Sequence, residues 1–323
     1  MIQNRYYVVI GLILLFVLSV ISLFFGVRTV TLWGLFTNEG DQMMVFVVSR
    51  IPRLIAVLAA GTGLSVVGLI MQQLARNKFV TPATAGTMES ASLGILVALL
   101  LFGSAAVIQK MLIGFAFALV GTFIFMRILD TIKYKDVILV PLVGIMFGGV
   151  VGSFSIFIAY RYNMIQAMNA WVIGDFSGVL RGRYEMLYIA IPSILLAYVY
   201  ADRFTLAGMG EDFAVNLGLK YKQVVNIGLG LIALTTAAVV LTVGIIPFLG
   251  LVVPNLVTIY LGDNIRRTLP YTALLGAIFV LACDILGRLI IYPYEIPIGM
   301  VVGVIGSAMF LYMLLNRGAY ATR

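Results

Sequence analysis

Long stretches without a charged residue constrain this chain more than any other feature. They run over Val8–Val27, Leu54–Ala75, Ser90–Gln109, Met111–Met126, Val137–Tyr160, Met186–Ala201, Gln223–Leu261, Thr268–Cys283 and Ile296–Asn316. A helix needs roughly 20 apolar residues to cross the hydrocarbon core of a bilayer. Gln223–Leu261 is about twice that length, and Gly244-Ile-Ile-Pro247 supplies a break within it. Splitting it there predicts ten crossings. With a mean hydropathy of +1.11, the chain exposes too much apolar surface for water and suits the lipid bilayer as its solvent. Strands of a membrane barrel would alternate apolar and polar residues, and these runs do not. The expected architecture is all-α and polytopic, a single transmembrane domain over residues 1–323 with about ten transmembrane helices.

Val8–Val27 is long for a signal peptide, lacks a small-residue cleavage site and precedes further spans, so it reads as an uncleaved first helix. Lys and Arg placement sets the orientation. With both termini in the cytoplasm, 13 of the 21 basic residues fall inside: Arg5, Arg76, Lys78, Arg127, Lys133, Lys135, Arg203, Lys220, Lys222, Arg266, Arg267, Arg317 and Arg323. Arg28, Arg50, Arg53, Lys110, Arg161, Arg181, Arg183 and Arg288 remain outside. The net charge of +8 is therefore mostly topological and does not point to nucleic acid.

Several chemistries are missing. There is no histidine and one cysteine, Cys283, in an apolar run where packing is its simplest use. Ser–His proteolysis, His-ligated zinc or haem, and an intrachain disulfide are excluded. No GxxxxGK[ST] loop is present, so ATP hydrolysis in the Walker manner belongs to another chain. No catalytic residue, metal or cofactor is expected. The carboxylates nearest the spans are Glu89, Asp284 and Glu295, each close to a span end. Asp284 and Arg288, four apart on one helix, can pair. Ion-coupled carriage would use such groups, and it stands as the alternative reading. Gly144, Gly148 and Gly152, and Gly299 and Gly303, have the four-residue spacing that lets helices approach closely.

One polar insert, Ala207–Val224, breaks the pattern between the sixth and seventh spans. It reads as a short helix: Gly208 and Gly210 precede it, and Glu211 and Asp212 suit its positive end. Gly218 suits its C-terminal cap, and Lys220 and Lys222 its negative end. Phe213 and Leu217 would share a face, with Ala214 beside them. Two turns are not stable alone, so the insert docks either on its own bundle or on another protein.

Glu211-Asp-Phe-Ala-Val-Asn-Leu-Gly218 resembles the GEDxAxxLG segment of the FecCD family, the permease subunits of ABC importers for iron–siderophore complexes, haem and vitamin B12. Further segments resemble that family in order along nearly the whole chain. Arg50-Ile-Pro-Arg53 is similar to its RxPR opening of the second helix. Arg76-Asn77 with Pro82 and Gly86 is similar to RNPLAxPxxLG, with Lys78-Phe-Val in place of Pro-Leu-Ala. Trp171-Val-Ile-Gly174 resembles WxxGS. Phe248-Leu-Gly-Leu-Val-Val-Pro254 resembles FxGLxxPH, with Asn255 in place of His. Gly262-Asp263, Leu269-Pro270, Asp284 to Arg288 and Glu295-Ile-Pro-Ile-Gly299 complete the series.

The resemblance implies a type II ABC importer permease fold in a bacterial cytoplasmic membrane. It also implies that residues 207–222 form a coupling helix in a groove of a cytoplasmic ATPase, through Gly210, Glu211, Asp212, Phe213, Asn216, Leu217 and Gly218. The polar surface would meet the ATPase, and the bundle would hold the apolar face. Arg50, Arg53 and Arg288, which would otherwise read as snorkelling interfacial residues, match arginines that receive glutamates of an extracytoplasmic binding protein. Arg28, Arg161, Arg181 and Arg183 would widen that basic collar. Gly68–Gln73 and Arg76–Met88 look closest to permeases for catecholate-containing siderophores, such as the petrobactin and anguibactin systems. Systems of that branch often pair two different permeases, so a heterodimer is expected before a homodimer. Haem and cobalamin are the alternative cargoes.

Overall fold

A computed structural model of the chain describes residues 2–26, 28, 30, 31, 33, 34, 41–82, 86–132 and 139–315. Lys133, Lys135, Arg317 and Arg323 of the orientation count lie outside them, as do residues 83–85, Asn316, Val27, Val137 and the side chain of Arg5. The described residues are helical throughout, apart from loops and one isolated bridge between Ile173 and Ile245.

Helix α1 (Ile2–Phe24) has few fully buried residues and packs along one face, through Gly11, Leu15 and Leu18, on the rest of the bundle. Helix α2 (Gln42–Leu74) runs for 33 residues and is among the most deeply buried spans. Then come α3 (Thr87–Leu101), α4 (Val107–Thr131), α5 (Leu139–Arg161) and the short α6 (Ile165–Val172). A 3₁₀ turn, Glu185–Ile189, leads into α7 (Ala190–Val199), which bends by 65° into α8 (Ala201–Ala207). After the insert helix α9 (Glu211–Asn216) come α10 (Tyr221–Val243), α11 (Leu249–Leu261), α12 (Ile265–Leu289) and α13 (Ile298–Leu315).

Seven described helices are long and apolar enough to span a membrane, and the bent pair makes eight. The third and eighth expected crossings are shorter apolar helices of 15 and 13 residues, α3 and α11. At 1.5 Å per residue α11 reaches only about 20 Å, so the count of ten is approximate. The expected break in the seventh run is where the sequence placed it: α10 ends at Val243 and α11 begins at Leu249.

That break leaves backbone groups which a bilayer cannot satisfy, and the chain satisfies them itself. Ile245 N donates to Val172 O, Asp175 N to Val243 O and Gly299 N to Gly174 O. The Trp171–Gly174 segment thus plugs the gap between α10 and α11.

Helix α2 forms the axis, packed against α10, α11 and α12. Close approach explains part of its composition. A Cβ at Gly68 would sit 2.2 Å from the carbonyl oxygen of Gly250 on α11, so only glycine permits this crossing. Prolines create two further joints by withdrawing a donor from the helical ladder. Pro52 frees Val48 O, which accepts from Arg181 N at 3.1 Å. Pro254, inside α11, frees Gly250 O, which accepts from Gln72 Nε2 at 3.3 Å.

Candidate functional site

The three arginines expected at the outer surface are inside the protein. Arg50, Arg53 and Arg288 are 8%, 9% and 2% exposed. Helix α2 begins nine residues before Ile51 and passes through a π-helical turn at Phe46–Arg50, so Arg50 and Arg53 lie within the helix, not at its mouth. Buried charge requires partners, and each arginine has them.

Arg53 donates from Nη2 to Asp284 Oδ1 at 2.8 Å and from Nη1 to Glu295 Oε2 at 2.7 Å. The other oxygen of Asp284 pairs with Arg288 one turn along α12, as the sequence spacing suggested. Arg288 also donates to Ser22 Oγ at 2.6 Å and to the carbonyls of Ser22 and Phe25. Arg50 reaches the carbonyls of Phe25 and Arg28, at 2.9 and 3.1 Å. These carbonyls lie at and just beyond the C-terminal end of α1, where unpaired acceptors and the helix dipole favour cations. Three guanidiniums against two carboxylates leave one net positive charge. Ser22, Asp284 and Glu295 as members of one network were not legible beforehand. Arg28, Arg161, Arg181 and Arg183 are exposed, and the backbones of Arg28 and Arg181 meet Arg50 and Val48 beside the network.

The insert lies at the opposite end of α2. Gly210 (φ 117°) precedes α9, with Glu211 and Asp212 in its first turn. The C-terminus closes as a Schellman motif. Gly218 N donates to Val215 O at 2.8 Å and Leu219 N to Ala214 O at 2.9 Å, with Gly218 at φ 80°. The expected glycine cap is therefore present.

The expected burial of the apolar face is not. Only Ala214 of α9 is buried, while Phe213, Val215 and Leu217 are 49%, 52% and 57% exposed. A two-turn helix has room for one anchoring contact. Ala214 provides it, while Leu219 beyond the cap packs on the core. The root of the insert rests on α2, where Gln73 Nε2 donates to Thr205 O.

Glu89 has one buried carboxylate oxygen without a hydrogen-bond partner and lies against Gly148 and Gly152 of α5. These glycines thus make room for a side chain as well as for a helix. Met168 and Phe176 are buried packing residues.

A model of the FecCD transport family matches residues 12–316. The petrobactin import system permease protein YclN of Bacillus subtilis (strain 168) is 59% identical over 96% of this chain and 98% of its own length. The ferric-anguibactin transport system permease protein FatD of Vibrio anguillarum is 40% identical over 95% and 97%. Among solved structures, a metal-chelate type ABC transporter in an inward-facing conformation matches with a TM-score of 0.85 at 23% identity, covering 97% of this chain and 99% of that one.

Proposed function

Because the chain belongs to the FecCD transport family, we propose that it is the permease subunit of an ABC importer carrying a ferric siderophore of the catecholate-containing class. Its energy comes from ATP hydrolysed on separate subunits. The observation that carries the reading is the 59% identity, end to end, with a petrobactin import permease.

The geometry supports the working parts of that reading. Residues 207–222 serve as the coupling element: Gly210 and Gly218 shape it, and Glu211, Asp212, Phe213, Asn216 and Leu217 face the ATPase. The uncovered Phe213, Val215 and Leu217 give this surface the aromatic and aliphatic anchors that a protein groove desolvates. At the other end, the network of Arg50, Arg53 and Arg288 carries a net positive charge, with the exposed Arg28 and Arg181 beside it and Arg161 and Arg183 also exposed. Together they attract an acidic extracytoplasmic binding protein and orient it. A second permease, a paralogue, completes the pathway. Both termini then face the cytoplasm.

The test is purification of the chain in gentle detergent from its native membrane, with partners identified by mass spectrometry. The purified complex is then assayed for ATP-driven uptake of ferric petrobactin in proteoliposomes. An ATPase and a second permease in the same peak, with uptake, are expected. Recovery of the chain alone, and transport driven by an ion gradient without ATP, would overturn the reading.

A further inference from the structure

Two residues depart from the family pattern, Lys78 in place of proline and Asn255 in place of histidine, and the fold brings them together. Asn255 Nδ2 donates to the backbone carbonyl of Lys78 at 2.7 Å and to Leu251 O of its own helix at 2.9 Å. Lys78 Nζ pairs with Asp263 Oδ1 at 2.7 Å, just past the end of α11, and lies 3.5 Å from Thr258 Oγ1. The next residue, Phe79, packs edge-on against Phe310 of α13, and Phe310 packs in turn against Phe248 at the start of α11. Lys78 is therefore tied to α11 at Asn255 and Thr258 and to Asp263 beyond it, and Phe79 reaches the start of α11 through Phe310.

The fastening is uneven. The Asn255 amide is largely buried, whereas the Lys78 and Asp263 side chains are 48% and 62% exposed. Exposed ion pairs form and break at little cost, whereas a buried amide that loses an acceptor is left unsatisfied. Lys78 is thus held firmly through its backbone by Asn255 and only loosely through its side chain by Asp263. Beside it lies a cavity of about 190 Å³ lined by Gln72, Gln73, Arg76, Gly208, Thr258 and Asp263.

Gly208 is where the insert leaves the bundle, and a Cβ there would come within 2.2 Å of Gln73 Nε2. Cavity, insert root and ion pair share one wall. Backbone strain marks the starts of both elements that the pair joins. Of the four non-glycine residues with positive φ among those described, Arg76 (45°) opens this loop and Phe248 (60°) opens α11. Such conformations persist only where the surroundings over-determine them, and they cluster at switch regions.

We propose that Lys78, Asn255 and Asp263 form a latch between the loop after α2 and α11, positioning residues that deliver movement of the insert to α11, and that the Lys78–Asp263 pair opens once in each transport cycle. This rests on the importer reading, in which an ATPase moves the insert. A proline at position 78 has no side-chain cation, so the ionic half of the latch is a property of this chain and not of the general pattern.

The experiment uses the complete complex in proteoliposomes. The chain carries Cys283→Ser, Lys78→Cys and Asp263→Cys, with the new pair bridged by a reducible bifunctional thiol reagent. The bridged complex is expected to lose roughly tenfold or more of its ATP-driven ferric petrobactin uptake, and reduction is expected to restore it. Equal uptake before and after reduction, or a loss that reduction does not reverse, overturns the latch.

A second arm exchanges the charges. Lys78→Asp and Asp263→Lys are each expected to impair uptake, and the double exchange to recover to within about twofold of the parent. A double exchange no better than the single variants also overturns the proposal. If the parent complex hydrolyses ATP but takes up no ferric petrobactin, the substrate reading has failed instead. The latch is then read from ATP hydrolysis, bridged against reduced.

Discussion

The two ends of α2 are built on opposite plans. Arg53 and Gln73 lie on the same helix, about 30 Å apart at 1.5 Å per residue. Around Arg53, five charged side chains are withdrawn from solvent and tied to one another or to the end of α1. Around Gln73, the ion pairs Lys78–Asp263 and Arg266–Asp202 are exposed. There the apolar side chains of the insert are about half exposed. The first end costs a great deal to disturb, because each removed partner strands a buried charge. The second changes cheaply, because its ion pairs are exposed. In the proposed importer, driven from the insert, that asymmetry would serve as a rigid frame at one end and a yielding contact at the other.

The largest effect that would break the comparison is expected at Asp284. Asp284→Ala leaves three buried guanidiniums against the single carboxylate of Glu295, with none for Arg288, and is expected to lower stability by about 3–5 kcal/mol, read as a fall in thermal midpoint in detergent. Glu295→Gln removes the more exposed carboxylate and should cost less, about 1.5–3 kcal/mol by the same measurement. A negligible change at Asp284 would mean that the network is not the frame.

At the other end, Phe213→Asp with Leu217→Asp is expected to leave the thermal midpoint unchanged while weakening ATPase association by about 2 kcal/mol or more, measured by titration in detergent. Unaltered binding would remove the uncovered face from the interface. Gly218→Ala forces a side chain into the left-handed region and is expected to cost about 1 kcal/mol, seen as faster hydrogen exchange at the Leu219 amide with the bundle unaffected. The smallest effect is expected at Asp202→Asn, which removes an exposed pair with Arg266 and should leave the thermal midpoint in detergent unchanged.

How far these features were legible depends on the range of the interaction behind them. The break at Gly244–Pro247, the Gly218 cap and the Asp284–Arg288 pair are encoded within a few residues, and each is present in the structure. The start of α2 was misplaced because Arg50 and Arg53 interrupt the apolar run, and a run bounded by charges looks like a span bounded by water. Arg53 joins Asp284 across 231 positions of sequence, and no local pattern announces that. The same holds for Asn255 and Lys78, which meet across 177 positions. Exposure of Phe213 and Leu217 was misjudged for a related reason. Helical spacing says which residues share a face, but only the neighbouring elements say whether that face is covered.

By itself the sequence determined the solvent, the helical class, the punctuation of the insert and, through its ordered motifs, the family. Each follows from local composition or spacing, because an apolar run, a cap or a motif acts within a few turns of chain. Only the tertiary structure decided which charges are buried, which carbonyls the prolines release and to whom, and which end of α2 is tied and which is free. Those outcomes depend on which surfaces meet, and a buried guanidinium is tolerated only where distant segments converge to neutralise it.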